Sequence, residues 1–234
     1  MSADPTPCAR HHVSPAPVLL MLALTFSTGI VDAVGFLGLD QVFTGNMTGN
    51  IVILGMGVAG ADGLPVVGPA VALAGFMIGA AFAGRMLKGG ADTGWSTRIA
   101  ALIALTAAIE IGTAGVFIAR VSASQGAAGV LIAGCLGVAM GGQAAAARHV
   151  AVKDVTTVVV TSTLTGLAAD ATFGMGAQGG ARRRLAAIVA ILLGAVVGAA
   201  LLKIHIGIGL MMAGLVTATV SVIGHAAYRG GRGF

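Results

Sequence analysis

The chain contains very little charge. Only 9% of its 234 residues are Asp, Glu, Lys or Arg, against about 25% in an ordinary soluble domain. Helices of a soluble protein would also show one apolar stripe and a charged outer face, and no such stripe is visible. These absences exclude an ordinary soluble enzyme or binding domain.

Cysteine and catalytic motifs are equally scarce. Cys8 lies in the polar N-terminal segment and Cys135 lies inside an apolar run, so they form neither a disulfide framework nor a metal site. The H-E-x-x-H, G-x-S-x-G and G-x-x-x-x-G-K-[ST] motifs are absent. We therefore expect no enzymatic activity, no cofactor and no metal.

The basic residues do not indicate a nucleic-acid partner. The net charge is +5, but aromatic residues make up only 4% of the chain, and no basic stripe with interleaved aromatics exists. The Lys and Arg residues lie instead at the ends of apolar runs, where they orient membrane helices.

Long apolar runs are what the chain has in abundance. Hydrophobic residues make up 57% of it, and a helix needs about 20 apolar residues to cross a bilayer. The first run contains Asp32 and is too long for a signal peptide, so we interpret it as a retained span. Six runs are predicted to cross the bilayer: 17–38, 65–87, 99–119, 127–147, 185–202 and 206–228.

Two further segments, 42–60 and 155–171, are shorter or more polar, and charge decides their placement. If all eight segments cross, seven Lys/Arg lie inside and six outside. If these two segments instead enter and leave the membrane on the same side, eleven Lys/Arg lie inside and only Arg120 and Lys203 lie outside. The second arrangement obeys the positive-inside rule. We predict six transmembrane helices, two re-entrant half-helical segments and cytoplasmic termini in a bacterial inner membrane.

The chain also repeats itself. Residues 44–49 (TGNMTG) resemble 161–166 (TSTLTG) at an offset of 117, and 75–81 share G-x3-G-A-A with 194–200 at an offset of 119. Three spans in each half would insert the second half upside down, as in inverted-repeat transporters. The predicted division is a polar tail (1–16), two membrane repeats (17–120 and 127–228) and a second tail (229–234).

Some of these residues resemble a known family. Asp32, Phe36 and the run 42–50 (VFTGNMTGN) are similar to the signature of the YoaK-like bacterial membrane proteins, as are Gln143 and the later 163–166 (TLTG). The sequence departs from that signature at Ala144, where the family has Asn. The resemblance extends from about residue 18 to 228; it implies the fold and the membrane location but supplies no activity.

The polar segments predict a substrate path. Irregular backbone at membrane depth is tolerated only where protein buries it or it lines a wet cavity. A coil at 42–46 followed by a helix from about 48 to 60 would bring a donor-rich helix N-terminus near the midplane, and 161–166 would do so from the other side. Such a place suits an anion or a polar neutral solute. The candidate path residues are Thr44, Asn46, Thr48, Asn50, Gln143, Thr161, Thr163 and Thr165.

Asp32 and Glu110 complete this set, because carboxyl groups inside spans are costly and are often functional. Each is either a proton-carrying group in the path or a neutral carboxyl bonded to a neighbouring helix. The glycine pairs 75/79, 137/141 and 194/198 predict helix-contact surfaces that could also support oligomerisation.

We therefore predict an all-α integral membrane protein that acts as a small-solute permease or channel, with the lipid bilayer and a small solute as its partners. The alternative is a structural or assembly protein whose polar segments only lock the fold. A polar cavity reaching Asn46 and Thr165 would favour transport, and a dry packed interface would favour the alternative.

Overall fold

The computed structural model describes residues 15–89, 94–119, 126–150, 161, 163–166, 168 and 178–230. Seven helices have defined bounds within this part, and the described residues between 161 and 168 are helical as well. The seven are α1 (Pro15–Gly38), α2 (Met47–Val58), α3 (Val67–Leu87), α4 (Thr97–Ala119), α5 (Gly126–Val150), α6 (Gln178–Leu202) and α7 (Ile206–Arg229).

Six of these helices are long and apolar enough to cross a membrane, which confirms the prediction of an all-helical, multi-span protein. The exception is α2, whose 12 residues cover about 18 Å of the roughly 30 Å needed. Its position agrees within two residues with the predicted helix at 48–60. Most of the predicted 1–16 tail and the predicted coil before Thr161 lie outside the described residues.

Helix α6 begins seven residues earlier than the predicted span 185–202 and contains the arginines 182–184. Hydropathy marks only the part of a helix that lies in hydrocarbon. Long basic side chains can extend to the headgroup region, so the helix continues through them. The predicted span is therefore too short, although its apolar part is placed correctly.

The long helices pack in a few close pairs. Helix α1 packs against α6 and α7, α3 packs against α5, and α4 packs against α5 and α7, while α2 lies on α3. Large apolar side chains such as Ile51, Met77, Leu131, Leu192 and Val222 are exposed on the outer surface. An outer surface of this kind suits lipid contact, because a soluble monomer rarely exposes so much contiguous apolar area.

The three glycine pairs lie at these helix contacts. A Cβ atom at Gly79 of α3 would lie less than 3.0 Å from the backbone oxygen of Val138 in α5, and one at Gly194 of α6 would come equally close to the oxygen of Phe26 in α1. Only glycine permits such approach. The predicted helix-contact surfaces are confirmed and are covered within one chain, whereas oligomerisation stays a prediction.

The chain reverses direction directly after α1. Asp40 and Gln41 adopt positive φ angles of 54° and 58°, and Gly35 lets the backbone oxygen of Val42 pack onto α1, since a Cβ there would come within 2.7 Å of it. This reversal returns residues 42–46 along α1 and brings them level with Asp32.

Candidate functional site

Residues 42–46, here called the 42–46 turn, are held by the carboxyl group of Asp32 in α1. Its Oδ1 accepts hydrogen bonds from the backbone N–H groups of Thr44 (2.9 Å), Gly45 (2.7 Å) and Asn46 (3.4 Å), and from the hydroxyl of Thr44 (3.3 Å). Successive N–H groups that converge in this way form an anion-binding nest. Here the anion is supplied by the protein itself.

Asn50 closes the other side of the turn. Its Oδ1 accepts from the N–H of Phe43 at 2.9 Å, and its Nδ2 donates to the carbonyl of Phe43 at 2.6 Å. Asn50 is fully buried, as is Thr44, whose hydroxyl donates to Asp32. Thr44 and Asn50, both predicted for the path, therefore help to hold the turn.

Helix α2 begins directly after the turn and is capped by it. Asn46 is the N-cap, and its Oδ1 accepts from the N–H of Gly49 at 3.2 Å. Gly49 packs against the ring of Phe43, and Gly45 packs against Thr28. Neither glycine has a positive φ angle, so both are required by close approach rather than by backbone conformation.

A cavity of about 870 Å³ lies beside the turn; we call it the Asp32 cavity. Four predicted path residues line it: Asp32, Asn46, Thr48 and Thr161. Thr161 comes from the second half of the sequence, 115 positions after Asn46, so the structure brings together polar residues from both halves. Apolar side chains form much of the rest of the wall and include Phe36, Phe43, Phe76 and Ile191.

Gln143 reaches this cavity through one intermediate residue. Its Nε2 donates to the hydroxyl of Thr28 at 3.0 Å, and Thr28 lines the cavity while donating to the carbonyl of Leu24 at 2.9 Å. Gln143 itself is buried. It therefore connects the second half of the chain to the cavity wall through Thr28.

The other two threonines of the second half that were predicted for the path, Thr163 and Thr165, do not line the cavity. Thr163 is buried, and Thr165 is exposed and donates to the carbonyl of Thr161 within its own helix. The sequence predicts a cavity that reaches Asn46 and Thr165. The observed cavity reaches Asn46 and Thr161, which lies one helical turn before Thr165.

Comparison with known proteins identifies the family of this chain. The family model described as "Protein of unknown function (DUF1275)" matches residues 20–223. The chain belongs to this family. It is also 32% identical over 151 residues to the UPF0700 transmembrane protein YoaK of Bacillus subtilis (strain 168). That match covers 64% of this chain and 65% of the relative, a little under two thirds of the relative's length.

No solved structure is significantly similar to this member of the DUF1275 family. The resemblance to YoaK-like membrane proteins is confirmed by the family match and by this relative. The relative is a transmembrane protein by name, and neither it nor the family description names an activity. Only the geometry of the site can therefore indicate a function.

Glu110 lies elsewhere in this DUF1275 protein. It is fully buried in α4 and faces Thr217 of α7, but that hydroxyl donates to the carbonyl of Ala213 at 3.0 Å and lies 3.0 Å from Ser27 Oγ. Neither carboxyl oxygen of Glu110 has a partner of good hydrogen-bond geometry among the described residues. The structure therefore separates Glu110 from the Asp32 cavity, although the sequence grouped the two.

Sequence reasoning did not assign Thr28 or the aromatic walls to the site. Phe36 and Phe43 stack with ring centroids 4.7 Å apart, and both line the cavity with Thr28. One available signal was the spacing of Thr28 and Asp32, since residues four apart share a helix face.

Proposed function

We propose that this protein is a small-solute permease or channel of a bacterial inner membrane, with a path that passes through the Asp32 cavity. The observation that carries the proposal is the cavity itself, about 870 Å³ in volume and lined by polar residues of both halves. Ligand sites in transporters lie between repeats and beside interrupted helices. The proposal includes transport only and no enzymatic step.

An inverted-repeat arrangement of the two halves supports this path. If the two halves are repeats, α1 corresponds to α5, α3 to α6 and α4 to α7. The helix contacts obey this correspondence: the α3–α5 pair matches the α6–α1 pair, and the α4–α5 pair matches the α7–α1 pair. A chance arrangement of six spans would not reproduce its own pairing in this way.

The glycine contacts repeat at the same positions. In each half, two glycines approach backbone oxygens of the partner helix: Gly75 with Gly134, Gly79 with Val138, Gly194 with Phe26 and Gly198 with Ile30. A shift of 119 residues relates the glycines, and a shift of 108 relates their partners. Both glycines are shifted by the same number of residues, and so are both of their partners, as two copies of one repeat would produce.

The proposed topology follows from charge. With α2 and the segment around 161–168 re-entrant, eleven Lys/Arg lie on the cytoplasmic side and two on the other, and both termini are cytoplasmic. Helix α2 then enters and leaves from the outer face, and its N-cap Asn46 lies at the cavity.

A structural or assembly role is the second candidate. It is favoured by the internal use of the turn's polar groups, because Asp32, Thr44 and Asn50 all bond within the chain. A purely structural role gives no reason for an open space beside those groups, and the permease proposal does.

Uptake in liposomes tests the proposal. Purified protein is reconstituted and screened for entry of small labelled solutes, and the wild type is compared with Asn46→Ala and with Thr48→Trp, which narrows the cavity. Thr219→Trp places the same bulk on the exposed side of α7 and serves as the matched control. We expect the Thr48→Trp variant to lose at least tenfold in rate and Thr219→Trp to keep it. No uptake of any solute, or equal loss in both variants, would contradict a path through this cavity.

A further inference from the structure

Four of the five backbone N–H groups of the 42–46 turn already donate within the chain. The N–H groups of Thr44, Gly45 and Asn46 donate to Asp32, and that of Gly49 donates to the Asn46 side chain. The N–H of Met47 donates to the carbonyl of Gly45 at 3.1 Å. A helix N-terminus attracts an anion through free N–H groups, and here the carboxyl group of Asp32 already accepts from the three N–H groups that lead into α2.

The charge exposed to the cavity has the opposite sign. Asp32 is the one formally charged residue among the described residues that line the cavity. Its Oδ1 accepts the bonds of the turn, while its Oδ2 accepts none from the described residues and is not among the buried unpaired atoms. This second oxygen is available to a ligand, and it favours a cation over an anion.

The walls favour an organic ion over a metal ion. The rings of Phe36, Phe43 and Phe76 line the cavity with Val52 and Ile53, and no group of three His, Cys, Asp or Glu that could hold a metal occurs among the described residues. Hard metal cations require several oxygen ligands. An alkylammonium ion needs one counter-charge and apolar or aromatic surroundings for its carbon atoms.

We propose that the Asp32 cavity binds a small organic cation, an amine or a quaternary ammonium ion. Asp32 Oδ2 serves as its counter-ion and the phenylalanine side of the cavity contacts its hydrocarbon part. This inference rests on the proposed function, since it names the solute class of the same cavity. It differs from the sequence-based expectation of an anion or a polar neutral solute, because the sequence does not reveal that Asp32 fills the nest.

Binding to the purified full-length protein in detergent tests this, with radiolabelled choline as the probe in equilibrium dialysis. Its neutral carbon isostere, 3,3-dimethylbutan-1-ol, and the anion 3,3-dimethylbutanoate are the competitors. We expect either competitor to require at least a tenfold higher concentration than unlabelled choline. Equal competition by the neutral isostere, or stronger competition by the anion, would overturn the proposal.

Asp32→Asn separates charge from structure. An Asn Oδ1 still accepts from the N–H groups of the turn, while an NH₂ donor replaces Oδ2, the oxygen that accepts no bond from the described residues. We expect choline affinity to fall at least tenfold in this variant and to stay unchanged in Asp40→Asn, which removes an exposed carboxyl away from the cavity lining. An unchanged choline affinity in Asp32→Asn would contradict the proposal that Asp32 is the counter-ion.

Thr161→Lys covers the case in which Asp32→Asn fails to fold. It leaves the 42–46 turn intact and adds a positive charge to the cavity wall, so choline binding should be lost; retained binding would contradict the site.

The permease proposal and the organic-cation proposal can fail separately. Choline that binds through Asp32 without entering liposomes overturns the permease proposal alone, and uptake of a neutral solute without choline binding overturns this inference alone.

Discussion

At the scale of single residues, two asparagines four positions apart serve the turn in different ways. Asn50 is fully buried and forms two hydrogen bonds with the backbone of Phe43. Asn46 is exposed and makes one capping bond to Gly49. The free energy of removing each side chain should therefore differ.

Asn50→Ala leaves the N–H and carbonyl of Phe43 unpaired, and each buried group without a partner costs about 1–3 kcal/mol. Asn46→Ala removes only a cap, which costs about 1 kcal/mol. Unfolding of both variants in detergent micelles should show a clearly larger loss for Asn50→Ala. Equal losses would mean that the Asn50 contacts contribute no more than a cap.

Glu110 and Gln143 are both fully buried, but among the described residues only Gln143 has a hydrogen-bonded side-chain atom, its Nε2, which donates to Thr28. Replacing a polar group without partners by an apolar one of similar size is neutral or stabilising. Glu110→Leu should therefore leave the free energy of unfolding unchanged or raise it by about 1 kcal/mol, whereas Gln143→Leu should lower it. Uptake should survive Glu110→Leu; its loss would restore Glu110 to the path.

Polarity alone could identify the residues that matter but not their partners. Asp32, Asn46, Thr48 and Thr161 were predicted for the path and line the cavity, while Asn50, of the same type, turns to the backbone. The direction of each side chain depends on the reversal at 39–41, which no spacing rule reveals. Thr28 was missed because it bonds to the carbonyl four residues before it, as Thr25 does, and only packing distinguishes the two.

At the scale of helices, glycine sets how closely neighbours approach. Gly79 and Gly84 lie in the same helix, α3. A Cβ at Gly79 would collide with the backbone of Val138, whereas one at Gly84 would meet nothing within 4 Å. This difference makes the pair a matched test of the α3–α5 contact.

Gly79→Ala should destabilise the protein by about 1–3 kcal/mol, the usual cost of overpacking a tight interface. Gly84→Ala should be neutral or slightly stabilising, because alanine restricts the unfolded chain more than glycine does. Thermal unfolding in detergent measures both. A similar midpoint for the two variants would show that α3 and α5 can separate at no cost.

The helices were easier to predict than the site, because span length is fixed by bilayer thickness. All six predicted spans correspond to long apolar helices. The largest error was at the start of α6, where hydropathy ends at the arginines 182–184 but the helix does not. Hydropathy could suggest neither which helices would pair nor where the cavity would form.

At the scale of the whole molecule, the proposed topology depends on whether α2 crosses the membrane. If it is re-entrant, the segments on either side of it share one face. If it crosses, they lie on opposite faces, and every span that follows is inverted. Only Arg10, Arg120 and Lys203 then lie inside, against ten Lys/Arg outside, so the charge asymmetry is reversed and violates the positive-inside rule.

Asp40 precedes α2 and Asp62 follows it, and both are exposed. In a background in which Cys8 and Cys135 are replaced, Asp40→Cys and Asp62→Cys should both react with a membrane-impermeant maleimide added to intact cells. Lys88→Cys, at the exposed end of α3, should react only after the membrane is opened. This pattern is expected because a 12-residue helix covers only about 18 Å of the roughly 30 Å of hydrocarbon. The chain must then return to the side it entered from unless the bilayer thins around the helix. Labelling of Asp62→Cys only in opened membranes would mean that α2 crosses the membrane. That result would contradict both the re-entrant placement of α2 and the inverted-repeat topology.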